Sequence, residues 1–239
     1  MPPPPRLTHF LCLPLVTPVS RAQLQENLTT FRAEVTQATA QNPGGIPERA
    51  VRPVGTLHLT LGVMSLLTPA RVEAALTLLR SLDLRGQMAS RERLAAAGAS
   101  SRPLPLSITL RGLESMHDPA KTSVLYAAPV DEDRTLHEFC YKLREAFEAA
   151  DLLVLDTRPL LLHATIVNTV YVGGRSGNRG QRSPRLTIDA REMLYEYENF
   201  EWMRDVRMEK VAICRMGARE VAGGDEEYVV EGEVAIPGY

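Results

Sequence analysis

Two short stretches of the sequence each place a histidine two residues before a threonine. His58 and Thr60 lie in LHLTLG, and His163 and Thr165 lie in LHATIV. Side chains alternate between the two faces of a β-strand, so the histidine and the threonine of each stretch point to the same side. The aliphatic residues beside them point to the opposite side, toward a core. The pattern therefore predicts two strands that each present an imidazole and a hydroxyl on one face.

Two imidazoles and two hydroxyls can together carry out acid–base chemistry at phosphorus. One neutral imidazole removes a proton from water or a hydroxyl, and the other, protonated, donates a proton to the departing oxygen. The threonine hydroxyls donate hydrogen bonds to the non-bridging phosphoryl oxygens, where charge builds. This chemistry requires no metal ion, and we expect no cofactor. The four groups therefore favour hydrolysis or transesterification of a phosphoester.

Other interpretations of the same residues have less support. Neither stretch contains a cysteine or a carboxylate, so thiol catalysis and paired-carboxylate glycoside hydrolysis are not indicated. A zinc site with two histidines would lack an evident third protein ligand. Either pair alone is more typical of a half-buried polar pair that its neighbours satisfy, and only both pairs together favour a phosphate site. His9, His117 and His137 fit no motif. Alternation in the first strand allows His9 to face the cleft, but we expect a structural role for it.

The composition is that of an ordinary globular protein. The chain has 239 residues, is 44% hydrophobic and 23% charged, and has a formal net charge of -2; it therefore has no overall basic field to attract nucleic acid. Its three cysteines are far apart in sequence and odd in number, which favours a reducing compartment over a disulfide framework or a zinc motif. No run reaches the roughly 20 apolar residues of a membrane helix. We expect an intracellular protein of the nucleus or the cytoplasm, with no membrane partner.

Hydrophobic periodicity predicts the elements that must position the two pairs. Apolar residues at helical spacing predict helices over 20–39, 68–82, 131–152 and 189–200, with Ser20 and Thr68 as N-caps. Short apolar or alternating runs predict strands over 7–15, 56–66, 104–113, 122–130, 160–172, 208–217 and 227–236. One histidine–threonine pair falls in the second strand of each half of this series.

This order of elements predicts an α+β fold with an internal duplication. The series strand, helix, strand, helix, strand occurs over about 7–113 and again over about 122–236. We interpret residues 1–239 as a single bilobal domain whose two halves form the two lobes. If a pseudo-twofold axis relates the lobes, the four polar groups converge on one cleft. The pairs are 105 residues apart, which is too far for a solenoid, since solenoid repeats span about 20–50 residues.

Three arginines soon after the second motif strand are candidate contacts to an RNA backbone. Arg175, Arg179 and Arg182 lie in the glycine-rich segment GGRSGNRGQRS, where they can bind phosphates. The alternative is a solvated surface loop.

The sequence resembles the two-histidine (2H) phosphoesterase superfamily. The two His-x-Thr strands carry the resemblance, and the strings THFLCLPL, LHLTLGVMSL, SVLYAAPV, LHATIVNTVY and VAICRMG extend it over about residues 7–236. These strings are most similar to the phosphoesterase-like domain of A-kinase anchor protein seven and of activating signal cointegrator subunit one. The resemblance implies a bilobal fold in which two concave antiparallel sheets form a cleft and the helices pack outside.

The same resemblance implies a function and a set of site residues. Such clefts take RNA ends or nucleotides, including 2′,3′-cyclic phosphates and 3′-terminal phosphodiesters. His58 and His163 would be the acid/base pair of a metal-independent hydrolase similar to cyclic phosphodiesterases, and Thr60 and Thr165 would bind phosphate. Which histidine is the acid and which is the base stays open.

Two features of these relatives are not expected here. The cointegrator subunit carries an RNA-binding KH domain upstream, for which this chain has no room. The anchoring protein carries a kinase-binding helix at its end, where this chain stops at EVAIPGY, so kinase anchoring is not expected. Two alternatives to catalysis stay open. One is a module that binds a nucleotide or RNA without turnover, and the other is a transcription-coregulator or scaffold subunit with protein partners.

Overall fold

The computed structural model describes residues 5–40, 42–88, 106–172 and 186–237. The helices are α1 (Ser20–Val35), α2 (Pro69–Ser81), α3 (Thr135–Ala149) and α4 (Arg191–Glu196). The strands are β1 (His9–Pro14), β2 (His58–Met64), β3 (Ser107–Ser115), β4 (Val124–Pro129), β5 (Ala164–Asn168), β6 (Glu201–Arg207), β7 (Lys210–Arg215), β8 (Arg219–Glu220), β9 (Glu226–Glu227) and β10 (Val230–Ala235). Within these ranges no helix has both the length and the apolar character needed to cross a membrane.

The longer strands form two four-stranded antiparallel sheets. The first has the order β10-β7-β1-β2, and the second has the order β5-β4-β3-β6. The strands β8 and β9 pair with each other. The motif strands β2 and β5 each lie at an edge of their sheet. This combination of antiparallel sheets and helices confirms the predicted α+β class.

The two sheets do not follow the predicted halves of the chain, about 7–113 and 122–236. Strand β3, from the first half, pairs with β4 and β6. Strands β7 and β10, from the second half, extend the sheet of β1 and β2. Strand partners depend on long-range contacts, which the order of elements along the chain does not specify. Each sheet is therefore built from both halves, and the predicted assignment of one half to each lobe was wrong.

Two of the helices also pack against strands of the sheet that the other half of the chain was expected to form. Helix α1 packs against β6 of the second sheet, and α3 packs against β2 of the first. Helices α1 and α3 each bury one apolar stripe, as residues recurring every three or four positions predict. The buried apolar residues are Leu24, Leu28, Phe31 and Val35 in α1, and Leu136, Phe139, Cys140, Leu143 and Phe147 in α3.

The two predicted N-caps have different outcomes. Thr68 caps α2, since its side chain accepts a hydrogen bond from the N–H of Arg71. Ser20 is instead the first residue inside α1, and its hydroxyl donates to the carbonyl of Leu15 at 2.6 Å. The N–H of Ser20 donates to the hydroxyl of Thr17 at 3.1 Å. Thr17, three residues earlier, therefore accepts the bond that a cap would accept.

The segment that precedes β2 joins the two sheets beside the motif strands. Val51 forms an isolated bridge with Val167 of β5. The backbone N–H of Arg52 donates to the carbonyl of Ile166 at 2.8 Å. Strand β2 also contacts β5 directly. The two motif strands therefore meet where the two sheets adjoin, which we call the lobe junction.

The β8–β9 hairpin closes one side of this junction. Arg21 of α1 forms ion pairs with Asp225 at 3.0 Å and with Glu227 at 2.8 Å. The N–H of Gly55 donates to the Asp225 carboxylate at 3.1 Å. These contacts hold the hairpin against the turn before β2, and they bring the next residue, Tyr228, beside the start of that strand.

Candidate functional site

The same backbone contact orients both motif histidines. His58 is the first residue of β2, and His163 directly precedes β5. The Nδ1 atom of His58 lies 2.7 Å from the carbonyl oxygen of Thr56, and that of His163 lies 2.9 Å from the carbonyl oxygen of Leu161. Because a carbonyl oxygen only accepts hydrogen bonds, each Nδ1 carries the proton. The Nε2 atom of each ring is therefore left to act on a ligand.

Burial alternates along both motif strands as the sequence predicts. His58, Thr60, His163 and Thr165 are each half-buried. The residues beside them that point to the opposite face are buried; they are Leu57, Leu59, Leu61, Leu162, Ala164 and Ile166. Neither threonine hydroxyl has a hydrogen-bond partner within the described part of the chain. Both hydroxyls are therefore available to a ligand.

The two predicted pairs lie at the same junction. Strand β2, which begins at His58, contacts β5, which begins directly after His163. Electrostatic repulsion from His163 is one cause of the lowered pKa of His58, and such an effect weakens with distance and with screening. The structure therefore brings both imidazoles into one electrostatic neighbourhood, while the roles of the four residues remain a prediction.

Aromatic rings enclose His58. The ring of Phe10 lies 4.7 Å from the His58 ring, and the ring of Tyr228 meets it edge-on at 5.3 Å. The pKa of His58 is lowered from 6.5 to about 4, chiefly by burial and also by the charges of His163 and Arg52. The hydrogen bond to the Thr56 carbonyl acts in the opposite direction. His58 is therefore neutral at pH 7, with Nε2 able to accept a proton.

His163 has a different neighbourhood. The ring of Tyr126 on β4 meets the His163 ring edge-on at 5.4 Å. The Tyr126 hydroxyl donates to the carboxylate of Glu114 at 2.7 Å. Burial and this carboxylate raise the pKa of Tyr126 well above its usual range. Tyr126 therefore stays protonated and acts on His163 as a packing surface.

A cavity of about 200 Å³ adjoins His58. Its lining includes Phe10, Tyr228 and the thiols of Cys12 and Cys214, whose Sγ atoms are 3.9 Å apart. Both cysteines are free, and burial raises the pKa of the Cys12 thiol. The volume is below the roughly 300–1,000 Å³ of sites for whole small-molecule ligands. The cavity is therefore large enough for one chemical group of a ligand rather than for a whole small molecule.

Arg52 is a candidate that the sequence analysis misses. Its side chain is only 4% exposed, and its guanidinium carbon lies 3.9 Å from the centre of the Tyr171 ring. Its charge acts on both His58 and Tyr228. The sequence offers one sign of it, an arginine between apolar residues in AVRPV, just before a motif strand. Tyr228 carries no such sign, because a hairpin distant in sequence brings it to the site.

The remaining predicted contacts cannot be placed at the junction. Arg175, Arg179 and Arg182 lie outside the described residues, so their contact with an RNA backbone stays a prediction. His9 is buried on the face of β1 opposite Phe10, where its Nε2 lies 3.6 Å from the Glu231 carboxylate. Within the described ranges, no three histidine, cysteine or acidic side chains are grouped to hold a metal ion.

Comparison with known families covers most of the chain. The family described as "AKAP7 2'5' RNA ligase-like domain" matches residues 7–236. Activating signal cointegrator 1 complex subunit 1 of Mus musculus is 27% identical over 197 residues, which are 81% of this chain and 51% of that protein. A protein of Schizosaccharomyces pombe is 28% identical over 114 residues, 47% of this chain and 50% of its own length. This chain therefore spans about half the length of these curated relatives.

Solved structures share the fold at low sequence identity. Escherichia coli LigT complexed with 3'-AMP superimposes with a TM-score of 0.52 at 18% identity, covering 96% of this chain and 98% of LigT. LigT complexed with ATP gives a TM-score of 0.50 at 16% identity, with the same coverage of both chains. Two edge strands with a histidine each, the duplicated His-x-Thr pattern and the match over residues 7–236 all agree. The chain belongs to the AKAP7 2'5' RNA ligase-like domain family, within the two-histidine phosphoesterases.

Proposed function

We propose that this protein is a metal-independent phosphoesterase that acts on RNA ends or nucleotides carrying a 2′,3′-cyclic phosphate or a 3′-terminal phosphodiester. One observation carries the proposal. The imidazole of His58 on β2 and that of His163 just before β5 are held by the same contact, Nδ1 to the carbonyl two residues earlier, and neither Nε2 atom has a hydrogen-bond partner among the described residues. The match to a family of RNA ligase-like domains supports the substrate class.

The two histidines divide the proton transfers between them. His58 is the general base, because a neutral imidazole is favoured in its buried position beside a cation. Its Nε2 takes a proton from the attacking water or hydroxyl, whose oxygen then bonds to phosphorus. His163, in its protonated form, gives its Nε2 proton to the oxygen that leaves. After the step His58 is protonated and His163 is neutral. His58 then releases its proton to water and His163 takes one up, which restores both rings.

The two threonines bind the phosphoryl group during this exchange. The hydroxyls of Thr60 and Thr165 lack partners within the described residues and lie on the same strand faces as the histidines. Each donates a hydrogen bond to a non-bridging oxygen, where negative charge accumulates in the transition state. No step in this scheme requires a bound metal ion.

The test is turnover of an oligonucleotide that ends in a 2′,3′-cyclic phosphate, measured with EDTA present. The wild-type protein is expected to open the cyclic phosphate, and the His58→Ala and His163→Ala variants are each expected to be slower by about 10²–10⁴-fold. His117→Ala is the matched control, because His117 is exposed and lies outside the junction. Full activity in the variant that lacks both motif histidines would overturn the proposal.

A second candidate is a module that binds a nucleotide or RNA end as part of a protein complex. The observation in its favour is the similarity to a subunit of a cointegrator complex in the mouse. This function requires the same cleft but no turnover. Calorimetry with 3'-AMP separates the two candidates, since binding without turnover of any cyclic phosphate tested supports the module. For both candidates we propose an intracellular protein, nuclear or cytoplasmic.

A further inference from the structure

Arg52 has an unusual environment for an arginine. Its side chain is 4% exposed, although it belongs to the turn-rich segment before β2 rather than to a sheet or helix. The backbone is fixed by the bond from its N–H to Ile166 and by the neighbouring bridge between Val51 and Val167. The guanidinium group then lies against the face of the Tyr171 ring at 3.9 Å. The fold thus holds a permanent positive charge at the lobe junction.

One nitrogen of the Arg52 guanidinium lacks a hydrogen-bond partner among the described residues. The Nη2 atom of Arg52 is buried and has no hydrogen-bond partner within the described part of the chain. No carboxylate of the described residues forms an ion pair with Arg52 either, whereas Arg21, Arg71 and Arg144 all have one. A buried guanidinium without an anion is costly, because arginine does not become neutral in proteins. Such a group is expected where a ligand supplies the missing acceptor.

The orphaned group is close to the predicted reaction centre. The charge of Arg52 acts on His58 of the first sheet. It also acts on Tyr228, whose ring contacts His58 at 5.3 Å. On its other side Arg52 contacts Tyr171, the last residue of the 3-10 turn that follows β5 of the second sheet. An anion that satisfies Nη2 would thus lie between the two motif strands.

We propose that Arg52 is a phosphate-binding residue whose guanidinium donates hydrogen bonds to a non-bridging oxygen of the phosphoryl group between His58 and His163. The assignment rests on the proposed function of the cleft and adds a third kind of phosphate ligand to it. A planar guanidinium with two parallel N–H groups suits an anionic phosphodiester and gains little from a neutral ligand. The substrate class is therefore one that keeps a full negative charge on the reacting phosphate.

Tyr171 has a part in this arrangement. Its ring covers the guanidinium and is itself 47% exposed. Because Nη2 of Arg52 is buried, binding of a phosphate there requires the Tyr171 ring to turn aside.

The experiment compares Arg52→Met with the wild type by calorimetry, using 3'-AMP and inorganic phosphate as probes. Loss of a charged hydrogen-bond donor is expected to weaken both probes by about 10- to 100-fold. Without a probe, Arg52→Met is expected to unfold at the same temperature as the wild type or a higher one, because an unpaired buried charge has been removed. A purely structural arginine predicts the reverse, a lower unfolding temperature with unchanged affinity, and that result overturns the assignment.

Controls separate this assignment from the function on which it rests. Arg204→Met removes an exposed arginine paired with Glu201 and is expected to bind both probes as the wild type does. If Arg52→Met does not fold, Arg52→Lys serves instead, and an unchanged affinity in it overturns the assignment. Equal binding by wild type and Arg52→Met overturns the role of Arg52 alone. Failure of the wild type to bind either probe overturns the proposed function and this role together.

Discussion

The first and second motif strands share a backbone design but have different surroundings. In both, a carbonyl two residues earlier accepts a hydrogen bond from the Nδ1–H, and the hydroxyl of a threonine two residues later has no partner in the part of the chain that the structure describes. His58 is enclosed by Phe10 and Tyr228 and lies near a buried arginine. His163 meets the edge of one tyrosine ring. A duplicated strand geometry can therefore supply two equivalent groups that the flanking residues then make unequal.

This inequality arises from chain segments that the duplication does not include. Tyr228 comes from the segment after the β8–β9 hairpin, and Arg52 from the turns before β2. Phe10 of β1 does have a counterpart, because Tyr126 of β4 packs on His163 from the strand that neighbours β5. Among the described contacts of His163, none corresponds to those of Tyr228 and Arg52 with His58. An acid/base pair acts with one ring neutral while the other is charged. The lowered pKa of His58 therefore supports our proposal that the enclosed histidine is the base.

The largest expected effect is the loss of kcat/KM in the two histidine variants. Substrates whose leaving groups differ in acidity test whether His58 is the base and His163 the acid. For a substrate with a poor leaving group, an alcohol, both His58→Ala and His163→Ala are expected to lose about 10²–10⁴-fold in kcat/KM. For an activated ester with a nitrophenol leaving group, which departs without a proton, His163→Ala is expected to recover most of its loss. His58→Ala is expected to remain slow, because attack still needs a base. Kinetics on the two substrates measure the difference.

The opposite pattern, with recovery in His58→Ala, would reverse the roles of the two histidines. Recovery in neither variant would mean that both rings act by binding or orientation. His117→Ala, with its ring outside the junction, controls for the loss of an imidazole elsewhere.

Local periodicity was sufficient to predict the faces of the motif strands. Alternation over five or six residues depends only on strand geometry, and burial follows it at both pairs. The strand ends were less predictable. The second motif strand was expected over 160–172 but spans Ala164–Asn168. The side chain of Asn168 accepts a hydrogen bond from the N–H of Val170 and starts a 3-10 turn there, which ends the strand.

Long-range partners could not be predicted from the same patterns. The order of elements was read as two consecutive lobes, whereas β3, β7 and β10 pair across the two halves. The surroundings of His58 follow from that exchange, because β10 and the hairpin before it join the first sheet. Arg52 and Tyr228 belong to no repeated motif, and only the folded chain places them together. The reactive groups were thus visible in the sequence, while the residues that tune them were not.

A smaller effect is expected from the threonines, and it should be nearly equal in the two strands. Thr60→Val and Thr165→Val keep the side-chain shape and remove one donor each. Each is expected to lower kcat/KM by about 10- to 100-fold, the cost of one hydrogen bond to a charged oxygen. Thr77→Val, at an exposed position on α2, is the matched control. Kinetics with a cyclic phosphate substrate measure all three variants, and a loss confined to one motif threonine would show that only one strand binds the phosphate.

The smallest expected effect is on the pH dependence of the free energy of unfolding, which tests the environment of His58 without any substrate. The pKa of His58 is about 4 in the folded protein and 6.5 without its surroundings, so the unfolded chain binds this proton more tightly. The contribution of neutral His58 to the free energy of unfolding is therefore fully present above pH 6.5 and is lost as the pH falls from 6.5 to 4. With partial solvent exposure of the ring, the loss is expected to be about 1–2 kcal/mol.

Urea unfolding of the wild type and of His58→Gln at a series of pH values measures this contribution. Burial also lowers the pKa of His9, so His9 lowers the free energy of unfolding of both proteins equally at low pH. Only the difference between the two curves therefore reports on His58. That difference is expected to shift in favour of His58→Gln between pH 6.5 and 4, because glutamine has no proton to take up. His117→Gln, at an exposed site, is expected to follow the wild type more closely. Parallel curves for wild type and His58→Gln would remove the electrostatic distinction between the two motif strands, and with it the reason to assign the base to the first.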